Sequence, residues 1–281
     1  MSGVGPGGNG PAAVSIAPSD GPVAGGTTVT VFGSGLDSTV QFIGLAGAQT
    51  SIISRLGTAA VVVSASTFSS ITGPALVIAP SLGVSQTGAG QLFTYNPTPV
   101  ITSLAPTQGA FAGGTLITLR GTNLVPLSSN DAGLVIDVCS VPTSIVSQSS
   151  SEIIARTGAA VTAGLCTVSF VSPRVGSLSL PSAYTYNQQP SITASSHLSA
   201  PLAGGLLITF SGPVLGNGTD IGQVLIGGVQ APIISQSSTH VQVSTPALGS
   251  TGTKTVVVSS INYGDSTLAG GLFYNEGALS L

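Results

Sequence analysis

One motif occurs three times, and its spacing sets the organisation of the whole chain. The middle copy reads Pro106-Thr107-Gln108-Gly109-Ala110-Phe111-Ala112-Gly113-Gly114-Thr115-Leu116-Ile117-Thr118-Leu119-Arg120-Gly121. The first copy runs from Pro18 to Gly33 and carries Ala24-Gly25-Gly26-Thr27. The third runs from Ser199 to Gly212 and carries Ala203-Gly204-Gly205-Leu206. The first glycine of each pair stands at 25, 113 and 204, so the spacings are 88 and 91 residues. Solenoid repeats run at roughly 20–50 residues, whereas about 90 residues is the size of a small domain. The chain therefore reads as three domains in tandem.

Within each copy, the Gly-Gly pair lies between alternating runs. Glycine reaches positive φ without a Cβ clash, so Gly25, Gly26, Gly113, Gly114, Gly204 and Gly205 read as structural turns. The run that follows has the period of a strand. Leu116, Thr118 and Arg120 face one way; Ile117, Leu119 and Gly121 face the other. A phosphate-cradling loop would need a helix after the glycines and a Lys-Ser/Thr pair, and neither follows here.

Gly (39) and Pro (18) make up about a fifth of the 281 residues, alongside many β-branched residues, Ser and Thr. That combination points to an all-β chain rich in turns. Only 5% of residues are charged, against about 25% in an ordinary globular protein. Lys254 is the single lysine, and Arg55, Arg120, Arg156 and Arg174 are the arginines. Five dispersed cations cannot track a phosphate backbone, which excludes nucleic acid as a partner. No apolar run approaches the roughly 18 residues of a membrane-spanning helix, so membrane insertion is not expected. Exposed sheet edges are commonly guarded by lysine, and this chain has almost none. Its surface must be made soluble by polar uncharged side chains, by glycans, or by burial in an assembly.

Along the chain, residues 1–13 form a Gly/Pro-rich arm with neither the basic start nor the apolar block of a secretory signal. The three units cover 14–96, 97–187 and 188–276, with a tail at 277–281. Each holds about seven strand-like runs bounded by Gly, Pro or Ser, the number in an immunoglobulin-like sandwich. Each closes on an aromatic strand ending in Asn: Tyr95-Asn96, Tyr186-Asn187 and Tyr274-Asn275. The linkers Pro97-Thr98-Pro99 and Gln188-Gln189-Pro190 are short and stiffened by proline, so the expected shape is an elongated, semi-rigid rod.

Several motifs carry a family resemblance. They are the Pro-x-x-Gly…Gly-Gly-Thr opening, Gly121-Thr122-Asn123-Leu124 after the second strand, the mid-domain Ile-Val-Ser, Ser244-Thr245-Pro246 and the closing Phe-x-Tyr. Together they resemble the IPT/TIG domain family from Val14 to Asn275. Unit three departs from the pattern at Ser199-Ala200 and at Leu206. The resemblance implies an immunoglobulin-like fold, a structural or binding role, and no catalytic residues. Similar domains occur in cell-surface receptors, in extracellular bacterial and algal proteins, beside polysaccharide-degrading domains and in some transcription factors. The charge balance disfavours the last group.

Among candidate chemical groups, Cys139 and Cys166 are either a disulfide or two buried free thiols. Family cysteines often sit on neighbouring strands, and Cys166 lies one strand later along the chain. Two cysteines without a nearby His do not make a metal site. His197 and His240 are 43 residues apart, with no nucleophile-elbow context around any serine. Asn130-Asp131 and Asn217-Gly218-Thr219-Asp220 fall in corresponding loops. They offer too few oxygens for Ca²⁺ and fit turn chemistry better. Asn217-Gly218-Thr219 is the single N-x-Ser/Thr acceptor without proline and makes Asn217 a candidate N-glycosylation site. No cofactor is implied.

Two functional readings follow. The first is a non-enzymatic extracellular structural protein, a self-assembling subunit of a cell-surface filament, appendage or sheath. Its partner is a second copy of itself, joined by arm or strand exchange. The alternative is an adhesin, a carbohydrate-binding module or a spacer within a larger cell-surface protein, with glycans as partners. The absence of Trp and the presence of only five Tyr weigh against sugar-stacking platforms. No constellation supports an enzyme.

Overall fold

The computed structural model describes residues 11–79, 83–84, 92–126 and 130–276. Residues 1–10 of the arm, Gln91 at the start of a predicted strand, and the tail 277–281 lie outside these. Every described element is a strand, and the strands form three pairs of sheets, one pair per unit.

Domain 2 shows the plan. One sheet has the spatial order Val100–Ala105, Leu116–Thr122, Glu152–Arg156, Ser144–Gln148. The other has the order Gln108–Gly109, Gly176–Tyr186, Gly164–Ser172, Val135–Val138, Val141–Pro142. The chain changes sheets at Pro106, and Gln108–Gly109 then runs parallel to Thr185–Tyr186. Alternation along each strand decides what is buried. Ile117 and Leu119 are fully buried, as are Ile153 on the neighbouring strand of the same sheet and Val138, Val168, Phe170 and Tyr184 on the facing sheet. Leu116 and Arg120 point out to solvent. The two inner faces thus make one apolar layer between two sheets, the core of a β-sandwich. Domains 1 and 3 repeat it around Val31, Ile43, Val77 and Phe93, and around Phe210, Val224, Val243 and Val258.

Two features differ from the sequence expectation. The first strand of domain 1 opens at Ala12, so Ala12 and Ala13 belong to a sheet rather than to the arm, and Ala13 is buried. The second is a long hairpin where the sequence alone marks two shorter runs, Cys166–Phe170 and Ala183–Tyr186 in domain 2. In domain 2, Gly164–Ser172 pairs with Gly176–Tyr186 and turns at Pro173–Val175. In domain 3, Gly252–Ser260 pairs with Gly264–Asn275.

The sheet edges are guarded by geometry. The longer edge strands are each interrupted by a β-bulge, at Val14, Ile53, Thr102, Val146 and Ile234. A bulge twists the edge and breaks the row of unpaired backbone groups. The other described edge strands are two or three residues long, and Pro22, Pro142 and Pro201 sit in three of them, but they cover only the ends of the long hairpin strands: among the described residues, Gly176–Leu180 and Gly264–Leu268 have no strand on their outer side. Proline presents no N–H to an incoming strand.

Candidate functional site

The repeated Gly-Gly motif builds one end of each domain. All six glycines have positive φ, between +73° and +85°. Space restricts the first of each pair further. A Cβ on Gly25, Gly113 or Gly204 would meet the neighbouring backbone at Ala65, Gly158 or Pro246 within 2.4–2.6 Å, while the second glycine has open space. Gly113 closes a turn by donating its N–H to Ala110 O (2.9 Å), and Gly114 donates to Thr157 O (2.8 Å). The loop is thereby pressed against its own domain and leaves a shallow socket beside the closing Tyr-Asn.

The tip of the next domain's long hairpin sits in that socket, and it does so twice. At the first junction, Asn96 Nδ2 donates to Arg174 O at the tip (3.0 Å) and to Asp20 Oδ2 (3.0 Å). Arg174 Nε reaches Asp20 Oδ1 at 2.8 Å, and its Nη2 also bonds Asp20 Oδ2. Hydrogen bonding to this carboxylate raises the guanidinium pKa, against the opposing effect of burial. At the second junction, Asn187 Nδ2 donates to Asn262 O (2.8 Å). Asn96 and Asn187 are both buried. A cleft of about 630 Å³ between Pro22, Gly25, Val171 and Pro173 flanks the first contact. One of about 470 Å³ between Ala110, Gly113, Leu116 and Ile261 flanks the second.

Each tip is held in shape by a buried carboxylate. Asp131 accepts from Gly133 N (3.0 Å) and from Ser172 Oγ. Ser172 Oγ in turn accepts from the N–H groups of Arg174 (3.1 Å) and Val175 (2.9 Å). Domain 3 repeats the arrangement. Asp220 accepts from Ser260 Oγ (2.6 Å), Asn217 N (2.7 Å) and Asn262 N (3.2 Å), and Ser260 Oγ accepts from Tyr263 N (3.1 Å). Burial pushes the Asp220 pKa up, but the hydrogen bonds from Ser260, Asn217 and Asn262 outweigh it and hold the carboxyl below its usual value. Gln148 and Gln236 brace the same loops from the bulged edge strands. The sequence places Asp131 and Asp220 in matching loops. Their partners Ser172 and Ser260 escape it, although each begins the same Ser-x-x-x-Gly hairpin tip.

The other candidate residues lie apart from the junctions. Cys139 and Cys166 form a disulfide with Cα atoms 5.2 Å apart. The strand before Cys139 pairs directly with Gly164–Ser172, which makes two cysteines distant in strand order close in space. Asn217 is exposed, and its Oδ1 accepts from Thr219 N (2.9 Å) and Thr219 Oγ1 (3.2 Å). His240 Nδ1 bonds Ser237 Oγ (2.7 Å), and His197 Nδ1 bonds Ser196 Oγ (3.0 Å). Among the described residues, no group of three His, Cys, Asp or Glu side chains converges.

With this geometry in view, the IPT/TIG domain family matches residues 11–95, 99–186 and 190–274. The chain belongs to the IPT/TIG domain family. Its relatives include Plexin-A3 of Rattus norvegicus, 33% identical over 113 residues, and Plexin-A3 of Homo sapiens, 31% identical over 112. These alignments cover 39% of the chain and 6% of either relative, so the chain spans a small part of their length. Among solved structures, the full extracellular region of plexin A4 is similar over 90% of this chain and 23% of its own, with 21% identity and a TM-score of 0.49.

Proposed function

We propose that this chain is a non-enzymatic, extracellular cell-surface module: a stiff spacer within a larger protein that fixes the separation and orientation of what lies at its two ends. The observation that carries this reading is the repeated junction. A hairpin tip seated in a socket and clamped by a buried Asn restricts rotation that a proline linker alone would leave open. The disulfide Cys139–Cys166 fits an oxidising compartment, and the neutral Ser/Thr surface fits glycan attachment, with Asn217 exposed to receive one.

The alternative of a self-assembling filament subunit, joined by arm or strand exchange, is less well supported. Bulges interrupt each of the longer edge strands of the four-stranded sheets and oppose strand addition there, which leaves the outer sides of Gly176–Leu180 and Gly264–Leu268 as the edges such exchange would have to use. For glycan binding the chain offers a polar cleft of about 500 Å³ between Thr209, Ser211, Ser235, His240 and Gln242, and the exposed rings of Phe32, Phe68 and Phe273. Negative-stain imaging with sedimentation velocity tests the reading. Dispersed straight rods three domains long are expected. Regular fibres would favour the filament, and rods bent at random angles would refute the stiff spacer.

A further inference from the structure

We propose that the exposed end of domain 3 is a third socket, built to receive the hairpin tip of a further IPT/TIG domain whose tip is locked by a serine–aspartate pair. This deepens the spacer reading and rests on it. The parts of the socket recur in register. Pro201 pairs with Asn275 as Pro22 pairs with Asn96. Leu202 N donates to Asn275 O (2.7 Å) as Val23 N donates to Asn96 O (3.0 Å). Gly204 and Gly205 hold φ of +73° and +83°, and Gly204 presses on the backbone at Thr245–Pro246 as Gly113 does at Gly158. The difference is burial: Asn96 and Asn187 are covered by a tip, and Asn275 is exposed.

The occupant can be specified. Both seated tips carry the buried lock, Asp131–Ser172 and Asp220–Ser260. Among its described residues, domain 1 does not show it. Its hairpin pairs Ala79 with Gly83 where the others pair Ser172 with Gly176 and Ser260 with Gly264. Asp37 is exposed and spends its carboxylate on Thr39. Arg55 stands where Gln148 and Gln236 brace the loop. A second copy of this chain therefore offers no unengaged locked tip, which excludes head-to-tail joining through domain 1 as the intended use. The socket also selects for charge. Asp20, Gln108 and Ser199 occupy one register position opposite the closing strand, and only Asp20 faces an arginine. The domain 3 socket, with Ser199, suits a neutral tip like Ser260-Ile261-Asn262-Tyr263-Gly264. A tip with arginine at its third position would bring a guanidinium without a carboxylate to meet it.

The test extends the full chain. A second copy of residues 188–275 is joined directly after Asn275, which reproduces the Gln188-Gln189-Pro190 linker. Hydrogen exchange is followed at residues 199–207 of the original domain 3. We expect exchange there to slow about tenfold or more, and the slowing to vanish when Ser260→Ala is placed in the appended copy alone. Unchanged exchange beside a folded appended domain overturns the proposal. If the appended domain does not fold, a cyclised peptide of residues 256–268 titrated into the unextended chain decides. Saturable amide shifts at Gly204 and Gly205 support the socket, and none at millimolar peptide overturns it. Straightness of the unextended rod is a separate readout, so a rigid rod with an inert end would refute this proposal and leave the spacer reading standing.

Discussion

The Asp20–Arg174 pair is the sharpest handle on the first junction. It joins residues 154 apart in sequence, and the side chains are 7% and 24% exposed. A fully exposed pair contributes at most about 1 kcal/mol, and breaking a fully buried one costs about 3–5 kcal/mol. The residual exposure of Arg174 places this pair between, with a coupling of about 2 kcal/mol across a double-mutant cycle of Asp20→Ala and Arg174→Ala. The singles should be unequal. Arg174→Ala strands a buried carboxylate that keeps, among the described residues, its Asn96 donor, whereas Asp20→Ala leaves a guanidinium on a long stem that can turn to water. The readout is hydrogen exchange of the Asn96 side-chain amide, whose donors reach across the junction. A coupling of about 2 kcal/mol corresponds to about a 30-fold change in the junction's opening constant. A coupling below about 0.5 kcal/mol, or equal single effects, would refute the claim that this ion pair holds the junction.

Further outcomes are expected elsewhere. Gly113→Ala should lower the stability of domain 2 by about 2–4 kcal/mol, because the Cβ meets Gly158 at 2.4 Å, while Gly114→Ala should cost only about 1 kcal/mol of φ strain; calorimetric melting separates them. Reducing Cys139–Cys166 opens a loop with a sequence separation of 27 and should destabilise domain 2 alone by about 3–4 kcal/mol, seen as one of three melting transitions moving down. The depressed pKa of Asp220 gives domain 3 stability that is fully present above the unfolded aspartate pKa of about 3.9 and is lost as pH falls through the lower folded value. Ser260→Ala should flatten that acid dependence in domain 3, and an unchanged acid melting profile would count against the lock.

What the sequence shows follows from how locally each feature is encoded. The sandwich core is legible because Ile117 and Leu119 alternate with Leu116 and Thr118, and neighbours two residues apart share a face. The turn at Gly113-Gly114 is legible because few residues other than glycine adopt positive φ without strain. The hairpin tip is not. Ser177-Leu178-Ser179-Leu180 alternates as a strand does, but Pro181, at a register shift between Cys166 and Val168, separates that run from the closing Ala183–Tyr186 run, so the two do not read as one strand. The site itself is harder still, since Ser172 meets Asp131 from 41 residues away and Arg174 meets Asp20 from another domain. Bulges are marked only indirectly: Ile53, Val146 and Ile234 each hold the middle place of the repeated Ile-(Ile/Val)-Ser run, but nothing in that run shows that the residue is left unpaired, and Val14 and Thr102 lie outside it.

Those bulges bear on where such a chain can work. A lysine guard is an electrostatic device. It weakens as the Debye length shrinks from about 10 Å at 0.1 M salt to about 3 Å at 1 M, and it disappears when a counter-charge binds. A strand with an extra residue folded into it remains unable to pair in brine, in acid or against a charged polymer. With 5% charged residues and the longer edges of the four-stranded sheets interrupted by bulges, the resistance of those edges to pairing should hold nearly constant across ionic strengths. That is a property suited to a surface exposed to a medium whose composition the cell does not control.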